Sequence, residues 1–361
     1  MRRRLAWIAG AVVAIVIGGA LPAGAVGAFG APQTLVPNAG NGVDAGGHQG
    51  GASISADGVV RGFAEDLSAA SLPIWYFQRT GTQVVRRVTP YHGSVLSVAW
   101  DGVNATYVAF QDGTDLKIAN VNRHTGAFSA TTTLATGAGA VPYTADVVAS
   151  GGRWWAVWSE QVGAGGEFAQ TELFQQSTLL TRQSRTQITF TATGVWDIEP
   201  TLGYYGGKIT LVWTRAVNPE QPGPASLRVA STTGTKWLSR QLTYAGSINE
   251  SPDLIVYGGA SYVTWLRDGH IFYADNTTGR FLSHGFVTTG GSPAIGVSLG
   301  RVWVAWTATN TQVFVAERDA GVWTGARVTG VGGETLTVLG QGGKARLIYR
   351  TTSDIRLRAQ A

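Results

Sequence analysis

The 361-residue sequence predicts an all-β protein that uses one four-strand unit over and over. Three observations lead there. First, GRVWVAWT (300–307) says nearly what GGRWWAVWS (151–159) says, with Trp306 falling on Trp158, Trp303 on Trp155 and Arg301 on Arg153. Alternation turns Val302, Val304 and Trp306 to one face of a strand and Arg301, Trp303 and Ala305 to the other. Second, an aromatic closes the same strand in each copy: Phe63, Phe110, Trp158, Trp213, Trp265, Trp306 and Tyr349. Their spacings of 47, 48, 55, 52, 41 and 43 residues lie near the period of a propeller blade. Third, a hairpin turn precedes each: ADG (56–58), DGVN (101–104), SGG (150–152), YGG (205–207), YGG (257–259), LG (299–300) and QGG (341–343). Together they predict a β-propeller of four-stranded antiparallel blades, seven in number; misreading one weak unit would make it six or eight.

The remaining strands follow in order. Third strands are WYFQ (75–78), LKIA (116–119), LFQQ (173–176), LRVA (227–230), IFYA (271–274), VFVA (313–316) and IRLR (355–358). A glycine turn comes next in HTGAF (124–128), TTGTKW (232–237), TTGRF (277–281) and DAGVW (319–323), and short fourth strands such as VVRRVT (84–89) and QLT (241–243) close the units. The last unit ends after IRLR, while QTLV (33–36) stands before the first. Pairing the two would close the ring and cover edges that invite aggregation. The first unit is the weakest copy, with Arg61 where others carry an aliphatic residue.

The chain opens with Arg2–Arg4, then an apolar run from Leu5 to Leu21, Pro22 and small residues up to Ala28. That order predicts a signal peptide over 1–28 and one propeller domain over 29–361, in a secreted protein. The alternative is a retained anchor, the run being only slightly short of the ~20 residues a span needs. Without the three leading arginines, 24 of the 27 basic residues face 22 acids, a balance of +2. With no basic cluster, a nucleic-acid partner is not expected. The absence of cysteine excludes disulfides and thiolate metal sites.

In a propeller, the loops between second and third strands and those leading into each blade share one face, where ligand sites sit on a rigid frame. Two second-to-third loops are long, SEQVGAGGEFAQTE (159–172) and TRAVNPEQPGPAS (214–226), and GVWDIEP (194–200) leads into the blade between them. They direct Glu160, Glu167, Trp196, Asp197, Glu199 and Arg215 toward one sector; SINESPDL (247–254) adds Glu250 and Asp253, with Arg267 beyond. An aromatic amid carboxylates and arginine suits a sugar: the ring packs on the sugar face and the charges bind hydroxyls or a carboxylate. The plain alternative is a Trp196 packed between blades and solvated acids. Asp197, Glu199 and Glu250 are the candidate catalytic acids, since glycoside hydrolysis needs two carboxyls roughly 5–10 Å apart. Five scattered histidines give no metal spacing. No metal or cofactor is expected, and neither a phosphate-binding loop nor a nucleophile elbow occurs.

At its glycine turns the chain resembles the sialidase-like propellers, whose Asp-box turn reads roughly S-x-D-x-G-x-x-W. DAGVW keeps Asp319, Gly321 and Trp323 but is one residue short; TTGTKW and TTGRF keep the glycine and the aromatic. Prolines 200, 252 and 293, each near the start of a blade, add to the likeness. The Arg-Ile-Pro motif of true sialidases is missing, and Arg215, Arg267 and Arg350 do not map onto their arginine triad by spacing. The resemblance therefore implies an architecture without the sialidase catalytic signature. The resulting expectation is a monomeric, secreted, non-enzymatic propeller that binds an extracellular glycan or protein on its loop face. The alternatives are a glycoside hydrolase, and an interaction scaffold using outer-strand residues such as Arg228 or Arg356.

Overall fold

Tight turns join the first strand to the second in four of the units because paired glycines, 151/152, 206/207, 258/259 and 342/343, supply the left-handed backbone that a side chain resists; in Tyr205-Gly206-Gly207 the two φ angles are 56° and 80°. The structure, a computed structural model, describes residues 28–37, 51–66, 69–137, 143–163, 170–180, 183–217, 224–243, 246–283, 288–308, 312–328, 334–351 and 354–360. The expected signal segment, apart from Ala28, lies outside the described residues, as does Glu167.

Strand β1 (Gln33–Pro37) stands apart in sequence from the units that follow. The first comprises β2 (Ala52–Ile54), β3 (Val60–Glu65), β4 (Pro73–Thr80) and β5 (Gln83–His92). The second comprises β6 (Ser94–Trp100), β7 (Ala105–Asp112), β8 (Asp115–Asn122) and β9 (Thr132–Ala135). The third comprises β10 (Ala145–Ser150), β11 (Arg153–Val162), β12 (Gln170–Ser177) and β13 (Gln183–Gln187). The fourth comprises β14 (Val195–Tyr205), β15 (Lys208–Val217), β16 (Ala225–Thr232) and β17 (Leu238–Gln241). The fifth has β18 (Asn249–Tyr257), β19 (Ala260–Arg267), β20 (His270–Asp275) and β21 (Leu282–Ser283). The sixth has β22 (Gly291–Ser298), β23 (Arg301–Thr307), β24 (Val313–Asp319) and β25 (Val322–Arg327). Last come β26 (Glu334–Gln341), β27 (Lys344–Arg350) and β28 (Asp354–Ala359).

Strand β1 pairs antiparallel with β28, Gln33 opposite Leu357 and Thr34 opposite Arg356, so the two chain ends share a sheet. The first strands β2, β6, β10, β14, β18, β22 and β26 touch in that order, and β26 touches β2. The sheets therefore stand around one axis, as in a β-propeller. Five of them are separate four-stranded antiparallel blades, and not the seven separate blades the sequence predicts. The other eight strands, β10 to β17, make a single sheet. A parallel bridge from Thr171 to Trp196 joins its halves. Beside that bridge Glu172 of β12, fully buried, holds the chain leading to β14: it accepts from Thr189 Oγ1 at 2.6 Å, Thr191 N at 2.5 Å and Thr191 Oγ1 at 2.7 Å.

Packing between neighbouring units explains the apolar second strands. Six consecutive residues of β15, from Ile209 to Thr214, are buried, because both faces of the strand meet another sheet. Apolar clusters lie between the units, Trp155 and Trp213 between the third and fourth, Val304 and Tyr273 between the fifth and sixth. The aromatic after the glycine turn reaches back to the preceding unit. Phe128 meets Tyr76 edge-on at 6.3 Å, Trp237 meets Trp155 at 5.9 Å and Trp323 meets Tyr273 at 5.3 Å. Edge-to-face contacts of this kind add about 0.5–1.5 kcal/mol beyond burial.

Nearer the axis the units are tied by polar side chains. Val147 N donates to Ser97 Oγ (3.2 Å), Leu202 N to Asp146 Oδ2 (2.5 Å), Leu254 N to Thr201 Oγ1 (3.2 Å) and Ile295 N to Asp253 Oδ2 (2.7 Å). Each bond joins one inner strand to the next, so this belt fixes the register between units.

Candidate functional site

The sector expected to hold a ligand is built on the start of β14 and its counterpart on β18. Aligning the prolines at 200 and 252 places Asp197 on Asn249 and Glu199 on Ser251. Both strands bulge here, between Ile198 and Thr201 and between Glu250 and Asp253. Glu199 and Ser251 take up the extra residue with φ near 53°, a left-handed conformation that costs a side chain about 1–2 kcal/mol. Cross-unit bonds hold it: Glu199 N donates to Thr144 Oγ1 (3.0 Å), and Glu199 Oε2 accepts from Ser251 N (2.7 Å) and Thr214 Oγ1 (2.9 Å).

Asp197 is 0 % exposed. Arg215 grips it with two bonds, Nε to Oδ1 at 2.7 Å and Nη2 to Oδ2 at 2.6 Å, and Trp213 Nε1 donates to Oδ1 at 2.9 Å. The bonds to Asp197 raise the Arg215 guanidinium above its ordinary value. A buried carboxylate needs such a partner, since one left alone costs several kcal/mol. On β19, Trp265 Nε1 instead donates to neutral Asn249 Oδ1 (3.1 Å), and Arg267 lies over the Phe272 ring at 5.5 Å. Trp158 takes a third route, donating to Glu160 Oε2 (3.1 Å), whose other oxygen accepts from Arg185 Nη2 (2.8 Å). In each case a buried indole N–H is satisfied at the loop end of a second strand.

The candidates named from sequence are therefore brought to one end of neighbouring units, but most serve the scaffold. Trp196 is only 8 % exposed. Asp253 belongs to the axial belt. Glu250 is exposed at the loop face, and Arg267 is half-buried. Asp197 and Glu199 do not turn toward a shared space: the first closes on Arg215 within its own sheet, the second bridges the third and fifth units. Among the described residues no three His, Asp or Glu side chains gather as a metal site.

Sequence reasoning missed one residue on this face. Phe190, in the segment leading from β13 to β14, is 78 % exposed. Its neighbours Thr189 and Thr191 are the residues that Glu172 holds, so a fixed backbone presents the ring. The available signal was a repeat: Gln187-Ile188-Thr189-Phe190 is matched in sequence by Gln241-Leu242-Thr243-Tyr244, an aromatic just past the short fourth strand.

Comparison with known proteins shows the fold and stops there. No family model and no curated protein matches the sequence. Among solved structures, an α-L-arabinanase from Penicillium chrysogenum, described in complex with arabinobiose, is similar with a TM-score of 0.56 at 11% identity, covering 81% of this chain and 98% of its own. A puromycin-hydrolyzing peptidase from Mycobacterium tuberculosis reaches 0.56 at 14% identity over 93% of this chain, which spans 56% of the peptidase. YCF48 bound to D1 peptide reaches 0.53 at 13% identity, covering 95% of this chain and 98% of that one. These likenesses share the β-propeller and differ in what they do, as expected of a frame that carries many functions.

Proposed function

We propose that the chain is an exported, non-enzymatic propeller that binds a glycan on its loop face, and that its glycine turns are degenerate Asp boxes of the sialidase-like group. Phe190 carries the reading: an aromatic ring 78 % exposed on a backbone held by the buried Glu172 offers a flat apolar face of the kind a sugar ring stacks on. Glu250 and the Glu160–Arg185 pair supply polar partners for hydroxyls on the same face. Against hydrolysis stands the burial of Asp197, because a proton donor or nucleophile must touch the glycosidic bond. Export rests on the Arg2–Arg4 cluster with its apolar run, and a retained membrane anchor is the competing outcome.

Binding to an array of sialylated and bacterial cell-wall glycans tests this. A specific signal that Phe190→Ala weakens about tenfold or more, without turnover of the bound sugar, is the expected result. Turnover abolished by Asp197→Asn, or a blank array with folded protein, would overturn it.

A further inference from the structure

The seam where the chain ends meet holds three arginines that no carboxylate neutralises among the described residues. Arg79 on β4, Arg86 on β5 and Arg346 on β27 all point into the contact between the first unit and the sheet of β26, β27, β28 and β1. Strand parity places them: Arg79 and Arg86 share a face with buried Phe77, and Arg346 shares one with buried Ile348.

Arg79 Nε donates to Gln33 Oε1 (2.5 Å), and Arg346 Nη1 donates to Gln341 Oε1 (2.7 Å). Gln341 in turn spans the seam, its Nε2 donating to Ser55 O (3.0 Å) and Ala56 O (2.7 Å). Arg86 holds the closing strand itself through Leu35 O (2.5 Å) and Thr34 O (2.7 Å). The Nε of Arg346 is buried without any partner. Burial lowers the pKa of both Arg79 and Arg346, and the charge of Arg79 lowers that of Arg346 further. Like charges drawn together and half-desolvated are unfavourable unless a counter-charge joins them. Guanidinium groups suit a tetrahedral or planar oxyanion, to which they donate in pairs.

We propose that Arg79 and Arg346 form a binding site for an oxyanion, a sulfate, phosphate or carboxylate group, at the seam that closes the ring. The anion neutralises the facing cations and braces β1 and β27 against the first unit. The site stands on its own residues, at the far end of the strands from the loop face, and does not depend on the glycan reading. The oxyanion has two sources: a free inorganic ion, or the same group carried on an acidic polysaccharide.

Thermal unfolding of the full chain, titrated with sodium sulfate against sodium chloride at constant ionic strength, tests the site. The expected result is a saturable rise in Tm that Arg346→Gln weakens about tenfold or more in sulfate concentration. Arg356→Gln, on an arginine already paired with Asp354 at 2.8 Å, should leave the rise intact. If Arg346→Gln fails to fold, Arg79→Gln replaces it with the same expectation. A sulfated oligosaccharide that acts at lower concentration than sulfate identifies a polymer as the source; equal or weaker action identifies the free ion. No rise in the unaltered chain, or an equal rise in the Arg346 and Arg79 variants, overturns the proposal.

Discussion

The fourth and fifth units solve one problem in two ways. Each buries a second-strand tryptophan whose indole N–H needs an acceptor, and each supplies it from the same position of its first strand. On β14 the acceptor is Asp197 and brings a charge inside, so Arg215 must follow it. On β18 it is Asn249, and Arg267 is left to lie on Phe272. A carboxylate where the chain enters a unit is thus no sign of catalysis by itself. What decides is whether the arginine opposite is committed to it.

The comparison breaks most sharply at the arginines. Arg215→Ala strands a buried carboxylate and is expected to cost about 3–5 kcal/mol, seen as a large drop in the denaturant midpoint. At the matching position, Arg267→Ala removes a cation–π contact at a half-buried site and should cost about 0.5–1 kcal/mol.

Between those two in size comes a buried acid with no arginine. Asp146, in the axial belt, is held by Ser97 and by the N–H groups of Val147 and Leu202, and burial pushes its pKa up to about 7. The folded state therefore binds this proton more tightly than the unfolded chain, whose Asp titrates near 3.9. The stability it contributes is present below that value and is lost as pH rises through about 7. Unfolding measured from pH 4 to pH 8 should show stability falling by up to a few kcal/mol, and Asp146→Asn should flatten that slope. An unchanged slope in the variant would assign the titration elsewhere.

Much of this architecture was legible because period-2 strands, glycine turns and repeated aromatics each leave a local mark. The pairing of QTLV with IRLR was legible too, since an unfinished last unit and an orphan first strand imply each other. The joining of β10–β17 into one sheet was not: it runs through a single parallel bridge, Thr171 to Trp196, between a strand and the chain entering the next unit, and one such bridge leaves no periodic mark in sequence. Site residues were named by type and neighbourhood, and neither reports direction. Trp196 and Asp197 sit in a bulged strand that turns them inward, whereas Phe190 escaped notice because it lies just past the short strand β13, where a strand-by-strand reading stops. The Asp197–Asn249 correspondence was readable from the two prolines alone, yet its meaning needed the tryptophans that each one serves.

The most direct test of the central claim, that Asp197 and Arg215 are a committed structural pair, is a double-mutant cycle. Asp197→Asn keeps an acceptor for Trp213, so with Arg215→Ala it isolates the charge pair from the indole bond. A coupling of about 1.5–3 kcal/mol is expected, with near-zero coupling for Asn249→Ala and Arg267→Ala in the matching cycle. Equal coupling in the two cycles, or none between Asp197 and Arg215, would contradict the account and return Asp197 to the candidates for chemistry.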